Sequence, residues 1–158
     1  MITIGVSLNS RIVALAIIRK NILLDYKVRL YKKQWSTSKV NDMIALFRSC
    51  SKEYSIKKIT VTIPHSHHTN KRIQTLIKTI RNFCHQKQIS FLPCYQVAFD
   101  KFLQKERARK KALMLKMVKH YPELAPIYKK EIRNKNKYYY KLFEAVAAAT
   151  IITEVHRV

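Results

Sequence analysis

The sequence of 158 residues has one glycine and three cysteines, and only 9 acidic residues against 32 lysines and arginines. A single glycine excludes collagen-like repeats, low-complexity linkers and glycine-rich phosphate loops. Cys50, Cys84 and Cys94 cannot all pair and have no Cys-x-x-Cys spacing, so we expect a reducing cytoplasm. No apolar run approaches the roughly 18–20 residues of a membrane span. The first residues also lack the basic leader of a signal peptide.

What the sequence has in excess is positive charge, with a formal net charge of +23. Apolar residues make up 47% and aromatic residues 10%, which indicates a folded domain rather than a disordered basic tail. The length predicts one domain over residues 1–158. A charge this high attracts polyanions, and nucleic acid is the partner we favour. Two alternatives stay open at this point: an anionic membrane surface, and a lysine-rich composition with no binding role.

The charge is concentrated in two segments. Residues 101–119 contain eight lysines and arginines opposed only by Glu106, and residues 129–141 contain six opposed only by Glu131. Such residues release counterions when they neutralise phosphates. The residues of these segments that we predict to contact nucleic acid are Lys101, Lys105, Arg107, Arg109, Lys110, Lys111, Lys116, Lys135, Lys137 and Lys141.

Hydrophobic periodicity predicts an α/β fold. Alternating residues predict strands over 2–8, 12–19, 23–31, 58–63 and 89–92, with Pro93 closing the last strand. Helical spacing predicts helices over 38–54, 71–86, 95–120 and 138–156, with a connector or short helix over 121–136 and a break allowed within 95–120. Ser36 or Thr37 is the expected N-cap of the first helix, and the lone Trp35 is expected to be a packing anchor. Three strands in a meander followed by helix–strand crossovers predict a mixed sheet with helices on its faces.

Five segments, in chain order, resemble motifs of the RuvC-type Holliday-junction resolvases, a family of the ribonuclease H-like superfamily. Residues 5–11 (GVSLNSR) resemble the first-strand motif hydrophobic-Gly-hydrophobic-Asp-Pro-Gly-Ser-Arg, and residues 142–149 (LFEAVAAA) resemble the closing helix. The other three segments are 59–64, 91–97 and 110–118. The resemblance implies a ribonuclease H-like mixed five-stranded sheet with helices on both faces. It also implies DNA binding, and a two-fold dimer.

The same resemblance implies an acidic cluster that holds two Mg²⁺ ions, and here the sequence departs from it. Ser7 stands at the first acidic position, Thr62 at the second, and Lys141 one turn before the single carboxylate, Glu144. Magnesium prefers hard oxygen ligands, usually carboxylates. We therefore predict no metal, no cofactor and no working catalytic residue, with Ser7, Thr62 and Glu144 as vestigial positions. Asn9 and Arg11 are expected to line the cleft and contact nucleic acid.

The leading hypothesis is a catalytically inactive RuvC-like domain that binds structured nucleic acid, branched DNA or RNA, through phosphate and shape contacts. DNA is favoured over RNA, no membrane is expected, and the expected location is the cytoplasm, at the nucleoid. One alternative is an active Mg²⁺-dependent endonuclease with rearranged carboxylates, for which Asp25 and Asp100 are candidates. Another is a scaffold subunit of a larger nucleoprotein complex. A homodimer is compatible with each of these hypotheses.

Overall fold

The structure, a computed structural model, describes residues 1–65, 68–104, 109–134 and 138–155. Its strands are β1 (Ile2–Leu8), β2 (Ile12–Arg19), β3 (Ile22–Leu30), β4 (Ile56–Ile63) and β5 (Ser90–Tyr95). Its helices are α1 (Thr37–Glu53), α2 (Lys71–Gln86), α3 (Gln96–Leu103), α4 (Arg109–His120), α5 (Ala125–Arg133) and α6 (Tyr140–Val155), with a 3₁₀ turn over Pro122–Leu124.

The strands form one mixed sheet in the order β3-β2-β1-β4-β5. β1, β2 and β3 are antiparallel neighbours, whereas β4 and β5 run parallel to β1. The β2–β3 hairpin turns at Lys20 and Asn21, whose φ angles are +49° and +65°. Positive φ at both residues of a two-residue loop gives a turn whose twist matches the strands. The predicted mixed five-stranded sheet is confirmed.

Helices cover both faces of the sheet, as predicted. On one face, the side chains of Ile4, Val6 and Leu8 pack with the apolar faces of α1 and α2. On the other face, Ala14, Ala16 and Ile18 of β2 pack with α3, α4 and α6. The alternation follows from the two-residue repeat of a strand, which sends successive side chains to opposite faces.

Helix α6 lies unusually close to β1, and the single glycine of the chain allows this approach. A Cβ atom on Gly5 would lie 1.9 Å from the carbonyl oxygen of Ala145 and 2.9 Å from the Cβ of Ala149. The facing residues of α6 are alanines, and Ala145, Ala148 and Ala149 are fully buried. The close packing fixes the first turn of α6 beside the carboxyl end of β1.

One expectation about the end of a strand is corrected, and the break allowed in the helical stretch is present. Pro93 does not close β5, because the strand continues to Tyr95 with Cys94 paired to Thr62 of β4. A proline is tolerated there because β5 is the outer strand of the sheet. The helical stretch over 95–120 is divided into α3 and α4, and the connector contains the 3₁₀ turn and α5. Within the described residues, no helix is both long and apolar enough to span a membrane.

Candidate functional site

A cleft opens where the carboxyl ends of β1 and β4 meet the first turn of α6. Ser7 is near the end of β1 and Thr62 near the end of β4, and both are buried in the sheet. Glu144 comes from α6, with 14% of its side chain exposed. The close contact of α6 with Gly5 brings the carboxylate of Glu144 to the ends of β1 and β4. The fold thus brings together three residues that lie far apart in the sequence.

These residues form a chain of hydrogen bonds that ends at a lysine. The hydroxyl of Thr62 donates to Ser7 Oγ over 3.1 Å, and the hydroxyl of Ser7 donates to Glu144 Oε1 over 3.2 Å. The ammonium of Lys141 lies 3.1 Å from the same carboxylate oxygen. One negative charge is therefore balanced by one positive charge, and Oε1 of Glu144 receives both a hydroxyl and an ammonium.

The two acidic residues that were candidates for rearranged ligands, Asp25 and Asp100, do not line this cleft. Asp25 is on β3, where its carboxylate accepts from the backbone N–H of Tyr26 over 2.8 Å and from the hydroxyl of Tyr54 over 3.4 Å. Asp100 is on α3 and does not line the cleft cavity. Within the part of the chain that the structure describes, no group of three or more His, Cys, Asp or Glu side chains could hold a metal ion.

The cleft contains a small cavity of about 180 Å³. Besides Thr62, Lys141 and Glu144, its lining includes polar side chains from the loops and from the start of α3, namely Asn9, His68 and Gln96. A larger groove of about 740 Å³ adjoins it and shares Ile63, Pro64 and Gln96 with it. The cavity is small, and polar side chains make up about half of its lining, which suits a phosphate group better than a base.

The β1–β2 turn contains two of the predicted binding residues, of which Asn9 lines the cleft cavity. Asn9 Oδ1 accepts from the backbone N–H groups of Arg11 and Ile12, each over 2.8 Å. The carbonyl of the Asn9 side chain therefore closes the turn. The side chain of Arg11 is exposed beside it.

The predicted basic residues have different surroundings. Lys101 on α3 and Lys110 and Lys111 on α4 are exposed. Lys110 lies over the ring of Tyr140, with its Nζ 5.3 Å from the ring centroid. Lys105, Arg107, Lys135 and Lys137 lie outside the described residues, as does the side chain of Arg109, the first residue of α4.

Lys116 is engaged within the protein. Its Nζ lies 3.9 Å from the ring centroid of Phe102 and donates to the carbonyl oxygen of the same residue. This lysine links α4 to α3. Its ammonium is thus engaged within the protein, and its predicted contact with nucleic acid stays a prediction.

Two cations that the sequence interpretation did not single out lie in the first turns of α1 and α2. Lys39 on α1 is only 4% exposed, and the guanidinium of Arg72 on α2 lies over the ring of Trp35, 5.6 Å from its centroid. Burial, together with the charges of Arg11 and Arg72, lowers the pKa of Lys39. The sequence held one signal, since Lys39 is four residues before the buried Met43 and so lies on the apolar side of the helix.

No protein-family model matches the chain, and a comparison with curated proteins gives no match. Solved structures do resemble it. Thermus thermophilus RuvC superposes with a TM-score of 0.78 at 14% identity, covering 99% of this chain and 96% of the other. T. thermophilus RuvC in complex with a Holliday junction substrate gives 0.77 at 14% identity, with 99% and 95% covered.

The fowlpox virus resolvase, solved with its substrate Holliday junction DNA, has a TM-score of 0.66 at 14% identity, covering 99% of both chains. Likeness at this identity concerns the course of the backbone and not the chemistry of the site. The chain has the ribonuclease H-like fold that RuvC and the poxvirus resolvase share.

Proposed function

We propose that this protein binds branched DNA through phosphate and shape contacts and does not cleave it. The observation that carries the proposal is the pairing of Glu144 with Lys141 over 3.1 Å, at the point where β1 and β4 end. A cleft in which the one carboxylate is paired with an ammonium has little attraction for divalent cations. Support for DNA as the partner comes from the fold, since two of the similar solved structures hold Holliday junctions.

The residues of the cleft do not fit a centre of two Mg²⁺ ions. Such a centre needs carboxylates that bridge the ions and balance their charge. Here the ligands on offer are the hydroxyls of Ser7 and Thr62 and one carboxylate, which already accepts from Ser7 and Lys141. We derive no hydrolytic step for this cleft.

Binding would then depend on charge and shape. Lys141, with 27% of its side chain exposed, can turn its remaining donors toward a phosphate oxygen at the cleft. The exposed ammonium groups of Lys101, Lys110 and Lys111 provide further phosphate contacts on α3 and α4. Phosphate contacts fix position and carry no base sequence, so the preference would be for the shape of the nucleic acid. We propose a homodimer or a larger nucleoprotein complex as the working form, at the nucleoid.

The affinity test compares a fluorescently labelled four-way junction, a DNA duplex and an RNA duplex by anisotropy over a range of salt concentrations. The double variant Lys110→Glu with Lys111→Glu should weaken binding to all sequences alike. It should also reduce the slope of log affinity against log salt by about 2, because each phosphate contact contributes roughly 0.9. The matched control, Lys57→Glu with Lys58→Glu, makes the same change of charge at the opposite end of β4 and should leave the slope near that of the wild type.

The cleavage test incubates the protein with junctions and RNA–DNA hybrids in Mg²⁺ or Mn²⁺. Binding without strand cleavage is the expected result. Cleavage that Glu144→Gln abolishes would establish a nuclease with rearranged ligands and overturn the proposal. Equal affinity for junction and duplex would contradict the preference for branched DNA.

A further inference from the structure

The N-termini of α1 and α2 meet beside the cleft. Trp35 lies two residues before the first residue of α1, and Arg72 is the second residue of α2, with its guanidinium over the indole ring. Both helices are long, at 17 and 16 residues, so each presents the positive end of its dipole here. Neither helix has an acidic residue in its first turn. The region is positive because of its backbone as well as its side chains.

Lys39 adds a positive charge at the end of a side chain that is nine-tenths buried. It is in the first turn of α1 and only 4% exposed, between Trp35 before it and the apolar residues Val40 and Met43 after it. Arg11 and Arg72 are close enough that their charges disfavour its protonation. Among the described residues, the side chain of Lys39 has no ion pair or hydrogen bond. An ammonium that two nearby guanidinium groups repel, at the end of a buried side chain, is stabilised when an anion joins it.

The acidic side chain that follows Lys39 on α1 is paired with another lysine. Asp42, one turn further along α1, pairs with Lys33 over 3.6 Å. Lys33 also donates to Ser38 Oγ. An internal counter-ion for Lys39 is therefore missing from the described residues.

We propose that Arg11, Lys39 and Arg72 form a binding site for a phosphate group, held at the meeting point of the N-termini of α1 and α2. The phosphate would receive hydrogen bonds from Lys39 at its base and from the two guanidinium groups at its sides. The site adjoins the cleft, because Asn9 and Ile73, neighbours of Arg11 and Arg72 in the sequence, line the cleft cavity. That the phosphate belongs to a nucleic-acid backbone rests on the proposed function, whereas the site itself does not.

Trp35 gives a direct signal for this site, because it is the single tryptophan of the chain and Arg72 lies over its ring. The test titrates the full-length protein with inorganic phosphate at constant ionic strength, with sodium chloride as the balancing salt, and follows tryptophan emission. We expect a saturable change in the wild type. Lys39→Met keeps the length of the side chain and removes the charge, and should weaken phosphate binding by about ten-fold or more. Arg72→Gln should also weaken it.

Arg81→Gln is the matched control. Arg81 is on the same helix and also lies over an aromatic ring, with its guanidinium 5.0 Å from the centroid of Phe91. It is nine residues from Arg72, about 13 Å along the helix. This variant should keep the phosphate response of the wild type.

Thermal unfolding separates binding from folding. Because the side chain of Lys39 is buried along its length and its charge has no counter-ion among the described residues, the apolar variant Lys39→Met should melt at the same temperature as the wild type or higher. A purely structural lysine would give a lower melting temperature and an unchanged phosphate affinity, and that result overturns the proposal. So does a wild-type emission that phosphate leaves unchanged, or a Lys39→Met variant that binds phosphate as the wild type does.

A junction-binding arm identifies where the phosphate comes from. Loss of both phosphate and junction affinity in Lys39→Met supports a backbone phosphate as the ligand. Loss of phosphate affinity alone supports a free phosphate ion. If the wild type binds phosphate at this site but binds no nucleic acid, the site stands and the proposed function fails.

Discussion

Replacing Gly5 by alanine should destabilise the protein strongly, because β1 and α6 leave no room for a side chain. The new Cβ would lie 1.9 Å from the carbonyl oxygen of Ala145, whereas real Cβ contacts are essentially never shorter than 3.0 Å. The helix would have to recede by about 1.1 Å or more to reach that limit. It cannot do so freely, because Phe143 and every residue from Ala145 to Ala149 are fully buried.

The size of the effect follows from two opposing contributions. Overpacking a tight core costs about 1–3 kcal/mol and occasionally more, and contact with a backbone atom places this site at the upper end. Restricting the unfolded chain returns about 0.4–1 kcal/mol. We expect the free energy of unfolding to fall by about 2 kcal/mol or more, which lowers Tm by about 4–8 °C in a chain of this length.

The assay is thermal and urea unfolding followed by circular dichroism. Ser90→Thr is the control, since it also adds one methyl group, at an exposed position of the outer strand β5, and should change stability by less than about 0.5 kcal/mol. A Gly5→Ala variant whose Tm lies within 2 °C of the wild type (a shift of under roughly 1 kcal/mol) would refute the packing argument. A retreat of α6 would also lengthen the 3.2 Å hydrogen bond between Ser7 and Glu144.

Three further predictions concern the thiols, the cleft and a helix cap. Burial raises the pKa of Cys84 and of Cys94 from 9.0 to about 11. Both thiols should therefore resist alkylation at pH 8 in the folded protein. Fast labelling of either thiol would contradict this prediction. The unfolded chain releases these protons first, so stability should fall as the pH rises from about 9 to about 11, as pH-dependent urea titrations would record. Lys141→Asp removes the ammonium that lies 3.1 Å from Glu144 and adds a second carboxylate. Calorimetry should therefore detect stronger Mn²⁺ binding by the variant than by the wild type. Equal binding would argue against charge compensation in the cleft. Ser36→Ala removes the acceptor for the backbone N–H of Lys39 at 3.1 Å and should cost about 1 kcal/mol, and an unchanged Tm would show that the cap is dispensable.

Much of the architecture could be predicted from local patterns. The alternation in 2–8 and 12–19 gave strands within the same bounds as β1 and β2, and the spacing of apolar residues in 71–86 gave α2. Ser36 caps α1, as its residue type and position suggested. These features depend on hydrogen bonds and side-chain periods over a few residues, which the sequence contains in full.

The sequence by itself determined the order of the elements, the large positive charge and the residues available at the three cleft positions. Only the tertiary structure decided how those charges pair. It joins Lys141 to Glu144, directs Lys116 to Phe102, and buries the side chain of Lys39 in the first turn of α1. The physical reason is that Coulomb and hydrogen-bond energies depend on distances of a few ångströms between residues up to 137 positions apart, which only the packed fold sets.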